Sequence, residues 1–340
     1  MGVTASSYIW RIPVKNLNHY YLLYRILKVY VRLALFVFCR KVIINRPELL
    51  KTKGPLLLAC NHPDSFLDSV ILDTLFEQPI WSLARGDVFK NKTIAKLLTA
   101  LKILPVYRTS EGVENLSENY KTFEACIDHF RQGHVVAIFS EGKCVNEWHL
   151  RPLKKGTARL AIKAWEENIP LQVLSVGLNY SSFERFGKNL FLNFGNSIQK
   201  DDIDITAPDG IRNQAFNALL KKELEQQVYE IPTNDKQQQA EKLSIQQPLA
   251  KKIVLAFPAI IGWLLHFPLF FPVKKIAWKY TKHNDHYDSA VVSVLLLLYP
   301  FYVAALTITG VVLTHSWLAL ALIVVLPFTA WAYVQLKKQI

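Results

Sequence analysis

The sequence is short of the residues that staple small folds. Its four cysteines, Cys39, Cys60, Cys126 and Cys144, lie far apart with no Cys-x-x-Cys pair. That excludes a disulfide scaffold, argues against a structural zinc site, and leaves reduced thiols as the expectation. Acidic residues are also scarce: 27, against 40 lysines and arginines, for a net charge of +13 over 340 residues. The first eleven residues lack a basic start followed by an apolar run, so no secretory leader is expected. There is no internal repeat and no long low-complexity tract. What is present is apolar: 51% of residues are hydrophobic and 12% aromatic, which excludes a disordered chain. The length suits one large domain and a smaller part.

Charge is missing altogether from two runs near the end, Ala290 to Val312 and Ser316 to Val334. Each is long enough to cross a hydrocarbon core of about 30 Å as a helix rising about 1.5 Å per residue. Residues 289–335 are therefore expected to form a transmembrane hairpin, with kinks at Pro300 and Pro327 that membrane helices tolerate. Residues 251–282 are also apolar but carry Pro258, Gly262, Pro268 and Pro272. Lys251 and Lys252 lie on one side, and Lys274, Lys275, Lys279 and Lys282 on the other. A span would strand one lysine cluster outside, against the positive-inside rule, so a re-entrant or interfacial segment is expected, with a third span as the rival. Residues 1–41 hold a basic, tyrosine-rich helix with Arg25, Lys28 and Arg32 on one stripe. It suits the interface of an anionic leaflet, or packing on the soluble domain, or both.

Residues 42–230 alternate short apolar runs with helical stretches, which predicts an α/β domain with a mostly parallel sheet flanked by helices. Residues 231–250 are rich in Gln, Lys and Asp and are expected to be a linker. Side chains after parallel strands collect along one rim, where ligands of such folds bind. The first rim segment, in LLLACNHPDSFLDSVIL, places His62 at a strand end, then Pro63, and Asp64 or Ser65 as a helix cap. A carboxylate on one ring nitrogen fixes the tautomer and supports the cation formed when the other takes a proton, which makes a general base for a hydroxyl. Asp68 is the favoured partner and Asp64 the rival. No serine or cysteine nucleophile accompanies the pair, so direct attack by an external hydroxyl is expected. A second rim segment ends in Arg108, suited to a phosphate or carboxylate. A third, VVAIFSEG, ends in Glu141 and Gly142, with Lys154, Lys155, Gly156 and Arg159 following in an anion-binding pattern.

Taken in order, NHPDSFLD, LPVYR, FSEG with LKKGTARLA, and IPL resemble the four blocks of the PlsC-like glycerolipid acyltransferases, over about Pro55 to Phe194. The family usually reads HxxxxD. Here the fifth position after His62 is Leu67, and Asp68 comes one later, a spacing similar to that of the fungal glycerol-3-phosphate acyltransferases. Where the family has FPEGTR, this chain has Phe139 to Cys144, with Cys144 in the arginine position. The resemblance implies a glycerol-3-phosphate acyltransferase-like fold and transfer of a fatty acyl group from acyl-CoA or acyl-carrier protein to a glycerophosphate-type acceptor. The acceptor expected is 1-acyl-sn-glycerol 3-phosphate, with glycerol 3-phosphate or a lyso-aminolipid as alternatives. It implies His62 as base and Asp68 as its orienter. It also implies acceptor contacts from Arg108, Glu141, Gly142, Lys143, Lys154 and Arg159, with the N–H of Gly142 or of nearby residues facing a developing oxyanion.

No cofactor or metal is expected. The cluster His283, Asp285, His286 and Asp288 suits a polar loop beside the membrane. The basic charge suits membrane lipid and anionic donors at a cytoplasmic membrane face, and no nucleic-acid recognition motif accompanies it. The reading from a different class is a catalytically inactive membrane lipid-binding protein.

Overall fold

The computed structural model describes residues 17–107 and 116–338, with side chains for 21–107 and 119–338. The chain opens with helix α1 (Leu17–Phe38) and strand β1 (Cys39–Ile44). The alternating part follows: β2 (Leu56–Cys60), α2 (Phe66–Leu75), β3 (Ile80–Arg85), α3 (Lys92–Ala100), β4 (Ile103–Val106), α4 (Leu116–Arg131), β5 (Val135–Phe139), α5 (Gly156–Glu166), β6 (Gln172–Tyr180) and β7 (Lys188–Ile198). The described strands form one sheet, ordered β1-β7-β6-β2-β5-β3-β4. Every pair is parallel except β6–β7. This is the expected α/β class.

Central strand β2 reads LLLAC and is buried throughout, as a strand covered on both faces requires. Leu57 and Ala59 join a core with Cys126, Ile127 and Phe130 of α4, Leu160 and Trp165 of α5, and Phe216 and Leu220 of α6 (Asp209–Gln227). Leu56, Leu58 and Cys60 face the other way, onto Leu35 and Phe38 of α1 and Leu67, Ile71 and Leu72 of α2. Strand β1 was not expected. Its pattern CRKVII continues the apolar helix before it, and only pairing with β7, far along the chain, makes it a strand.

The expected linker holds a helix of its own, α7 (Lys236–Leu243), and Leu243 is fully buried against Phe191 and Ile231. Three further helical stretches, α8 (Leu249–Thr281), α9 (Tyr287–Thr314) and Trp317–Leu336, which contains α10 (Leu322–Leu336), are long and apolar enough to cross a membrane. The segment expected to be re-entrant is thus one continuous helix, despite its three prolines. Both ends of α8 nevertheless stay near the α/β domain. Lys251 bonds Gln335 at 2.7 Å, and the Gln335 amide donates to the Arg40 carbonyl at 3.2 Å. At the other end Phe270 packs edge-on against Phe186, and Val273 and Ala277 pack on Tyr287 and Val291. Val292 of α9 sits inside the core beneath α2.

Helix α1 has three stripes. Tyr24, Leu35 and Phe38 are buried. Lys28 and Arg32 reach the Gln78 and Thr74 carbonyls beyond and within the last turn of α2, so these two cations serve the protein itself. Leu22, Ile26, Val29, Leu33 and Phe36, spaced by three and four, form an exposed apolar stripe.

Candidate active site

Strand β2 delivers Asn61 and His62 to the rim. The Asn61 amide imitates one more strand residue, donating to the Leu178 carbonyl at 3.0 Å and accepting from its N–H at 2.7 Å. The chain then turns sharply through Pro63, Asp64 and Ser65. Ser65 adopts φ 53°, an unfavourable region for a residue with a Cβ. It occupies the cap position of α2 without a side-chain cap bond, contrary to the expected capping by Asp64 or Ser65.

That turn brings Asp68, fully buried, onto the imidazole: His62 Nδ1 lies 2.8 Å from Asp68 Oδ2. The same oxygen accepts the Asp64 N–H at 2.9 Å, and Oδ1 accepts the Tyr180 hydroxyl at 2.7 Å. The ring stacks on Phe139, with centroids 4.1 Å apart, and its side chain keeps 18% exposure. A carboxylate already holding two other donors accepts from Nδ1–H, which leaves Nε2 with its lone pair. Tyr180 is a site residue the sequence did not reveal. It lies 112 positions from Asp68 and at the end of an apolar strand, where nothing local marks it.

Asp64 turns the other way. Its Oδ2 meets Lys188 Nζ at 3.2 Å, both side chains being buried. Burial pushes the Asp64 carboxyl up to about 7, against the pull of Lys188. Of the two candidate orienters, only Asp68 touches His62.

Glu141 is buried and staples two loops. Its Oε2 accepts the His62 N–H at 2.8 Å and its Oε1 the Arg151 N–H at 2.9 Å. Burial raises its pKa although both bonds oppose the shift. Gly142 adopts φ +69°, which glycine allows, and its N–H donates to the Phe139 carbonyl at 3.0 Å. In this structure that N–H is engaged in the turn. Lys154 packs its stem over Gly142: a Cβ there would meet Lys154 Cγ at 3.0 Å. Lys143, Lys154 and Arg159 are exposed, with no carboxylate partner among the described residues. Arg108 lies outside the described residues. Cys144, in the family's arginine position, is buried and binds protein: its Sγ accepts the Ser65 N–H at 3.0 Å. Asp285 and Asp288, from the polar cluster after α8, are likewise engaged by protein, with Asn146 and Lys188 respectively.

A buried carboxylate on a partly exposed imidazole is an arrangement that can take a proton from a hydroxyl. Residues 41–178 match the family model described as Acyltransferase. The segment carrying this site is thus similar to an acyltransferase domain. A curated relative, the 1-acyl-sn-glycerol-3-phosphate acyltransferase of Borreliella burgdorferi, is 23% identical over 168 residues, 49% of this chain. The alignment spans 62% of that relative's length. Among solved structures, the 1-acyl-sn-glycerophosphate (LPA) acyltransferase PlsC from Thermotoga maritima aligns with a TM-score of 0.41 and 11% identity, over 65% of this chain and 87% of that one.

Proposed function

We propose that the protein moves a fatty acyl group from an acyl-CoA or acyl-carrier-protein thioester to the free hydroxyl of 1-acyl-sn-glycerol 3-phosphate, at the cytoplasmic face of a membrane. The observation that carries this is the Asp68–His62 contact of 2.8 Å with Nε2 left its lone pair, within a segment similar to an acyltransferase domain. Nε2 takes the hydroxyl proton as the oxygen attacks the thioester carbonyl. The tetrahedral intermediate collapses, the C–S bond breaks, and the leaving thiolate takes the proton back from the imidazolium. Asp68 stabilises that imidazolium throughout. Lys143, Lys154 and Arg159, joined by Arg108, hold the acceptor's phosphate, while Glu141 and Gly142 shape the loop they stand on.

Lipid access supports the same reading. Phe66 and Val88, a few residues past the ends of β2 and β3, are exposed apolar side chains, as are Ile94 and Leu97 of α3. The apolar stripe of α1 faces outward as well, as a surface against acyl chains does. We further propose that α9 and α10 cross the bilayer as a hairpin, while α8, tied to the domain at both ends, stays with one leaflet.

The test is phosphatidic acid formation by full-length protein in liposomes, with glycerol 3-phosphate and a lyso-aminolipid as parallel acceptors. His62→Ala is expected to lose transfer by roughly 10²–10⁴-fold while remaining in the membrane. No transfer to any of the three acceptors, or normal turnover by His62→Ala, overturns the proposal.

A further inference from the structure

The segment matching the family model ends at residue 178, yet the turn carrying His62 is gripped from beyond it. Lys188, on β7, is completely buried between Asp64 of that turn and Asp288 in the first turn of α9, with Asp288 the closer. The Phe38 and Tyr180 rings flank its ammonium at 5.5 and 5.2 Å. One residue along, the buried Ser289 hydroxyl donates to the Asp64 carbonyl at 3.1 Å and accepts the Leu67 N–H at 3.2 Å. It thus bridges the turn in which Ser65 holds its unfavourable φ of 53°. The loop before α9 grips the facing strand end. The Asp285 carboxylate accepts the Asn146 N–H at 3.2 Å, and the Asn146 amide donates to the Pro63 carbonyl at 2.6 Å.

Stability alone does not account for this arrangement. Desolvating a buried ion pair cancels most or all of its attraction, and apolar replacements of similar volume are often as stable. What a charged, hydrogen-bonded cluster does provide is one defined geometry. Here that geometry belongs to the turn that sets Asp68 against His62.

We propose that Ser289, Asp288 and Lys188 are positioning residues for acyl transfer: the first turn of a membrane helix locks the 62–68 turn so that Asp68 meets the imidazole. The proposal rests on the reading of His62 as the base. It makes α9 part of the catalytic assembly as well as an anchor.

The test uses the full chain in lipid nanodiscs, with Ser289→Ala, Ser289→Thr and His62→Ala assayed side by side. Ser289→Ala is expected to lower kcat about tenfold, the effect of losing one or two well-placed hydrogen bonds. KM for donor and acceptor should not move, because no substrate contact is altered, and the melting temperature should fall by only the few degrees that one or two hydrogen bonds are worth. Ser289→Thr, which keeps the hydroxyl, should restore kcat. Wild-type kcat in Ser289→Ala overturns the positioning role. So does a loss that follows a larger fall in melting temperature and is not restored by threonine. Turnover retained by His62→Ala overturns the base reading itself, a result independent of Ser289.

Discussion

Replacing Asp68 by asparagine separates two things a carboxylate does for a histidine: fixing its tautomer and stabilising its cation. Asp68 Oδ2 faces both the Asp64 N–H at 2.9 Å and His62 Nδ1 at 2.8 Å, while Oδ1 faces the Tyr180 hydroxyl at 2.7 Å. An asparagine with its NH2 at the Oδ2 position would set two donors against each other at Asp64. With the NH2 at the Oδ1 position it meets a hydroxyl, which can rotate to accept. The amide oxygen therefore stays on His62, Nδ1 keeps its proton, and only the charge is lost. An opposite charge in hydrogen-bond contact favours a cation by roughly 1.4–4 kcal/mol, which predicts a kcat loss of about 10–10³-fold. Where an amide instead forces the wrong tautomer, the loss is of order 10⁴. Initial rates of acyl transfer measure the first quantity, and 15N chemical shifts of the imidazole report which nitrogen is protonated. Wild-type turnover, or a 10⁴-fold loss with Nδ1 deprotonated, would refute the reasoning.

Two further outcomes follow from geometry away from the dyad. His129 stacks on Trp81 with centroids 3.8 Å apart, and burial, with His134 and Lys102 nearby, pushes its pKa down to about 3. The unfolded chain binds a proton there below about pH 6.5 and the folded chain does not, so stability is lost as pH falls from that value towards 3. The loss at pH 5 amounts to about 2 kcal/mol, and in His129→Phe the melting temperature should depend less on pH between 7 and 5; an unchanged pH dependence would count against the burial argument. In the membrane part, a Cβ at Gly262 would meet the Thr329 carbonyl oxygen at 2.0 Å, where α8 crosses α10. Gly262→Ala should therefore lower stability by about 1–3 kcal/mol in thermal unfolding of the nanodisc-embedded protein, and an unshifted transition would mean the helices are not so closely packed.

The sequence by itself determined whatever depends on neighbours a few residues apart. Apolar periodicity set the alternation of strands and helices from Leu56 to Glu166, and uncharged length set the terminal helices, because burial in a sheet or a bilayer imposes those patterns locally. The order of short motifs likewise placed His62, Asp68 and Glu141 on one rim. Only the tertiary structure chose between the two aspartates. Both lie within six residues of His62, and the choice is made by Lys188, which draws Asp64 away, and by Tyr180, which fixes Asp68, each more than a hundred positions distant. Long-range pairing also turned Cys39–Ile44 into a strand and directed Lys28 and Arg32 onto carbonyl groups. It committed the Gly142 N–H to a turn, brought Ser289 of α9 against the turn after His62, and set Asp288 on Lys188. A side chain's partners depend on which distant segments the fold brings within about 3 Å, and a linear pattern carries no record of that distance.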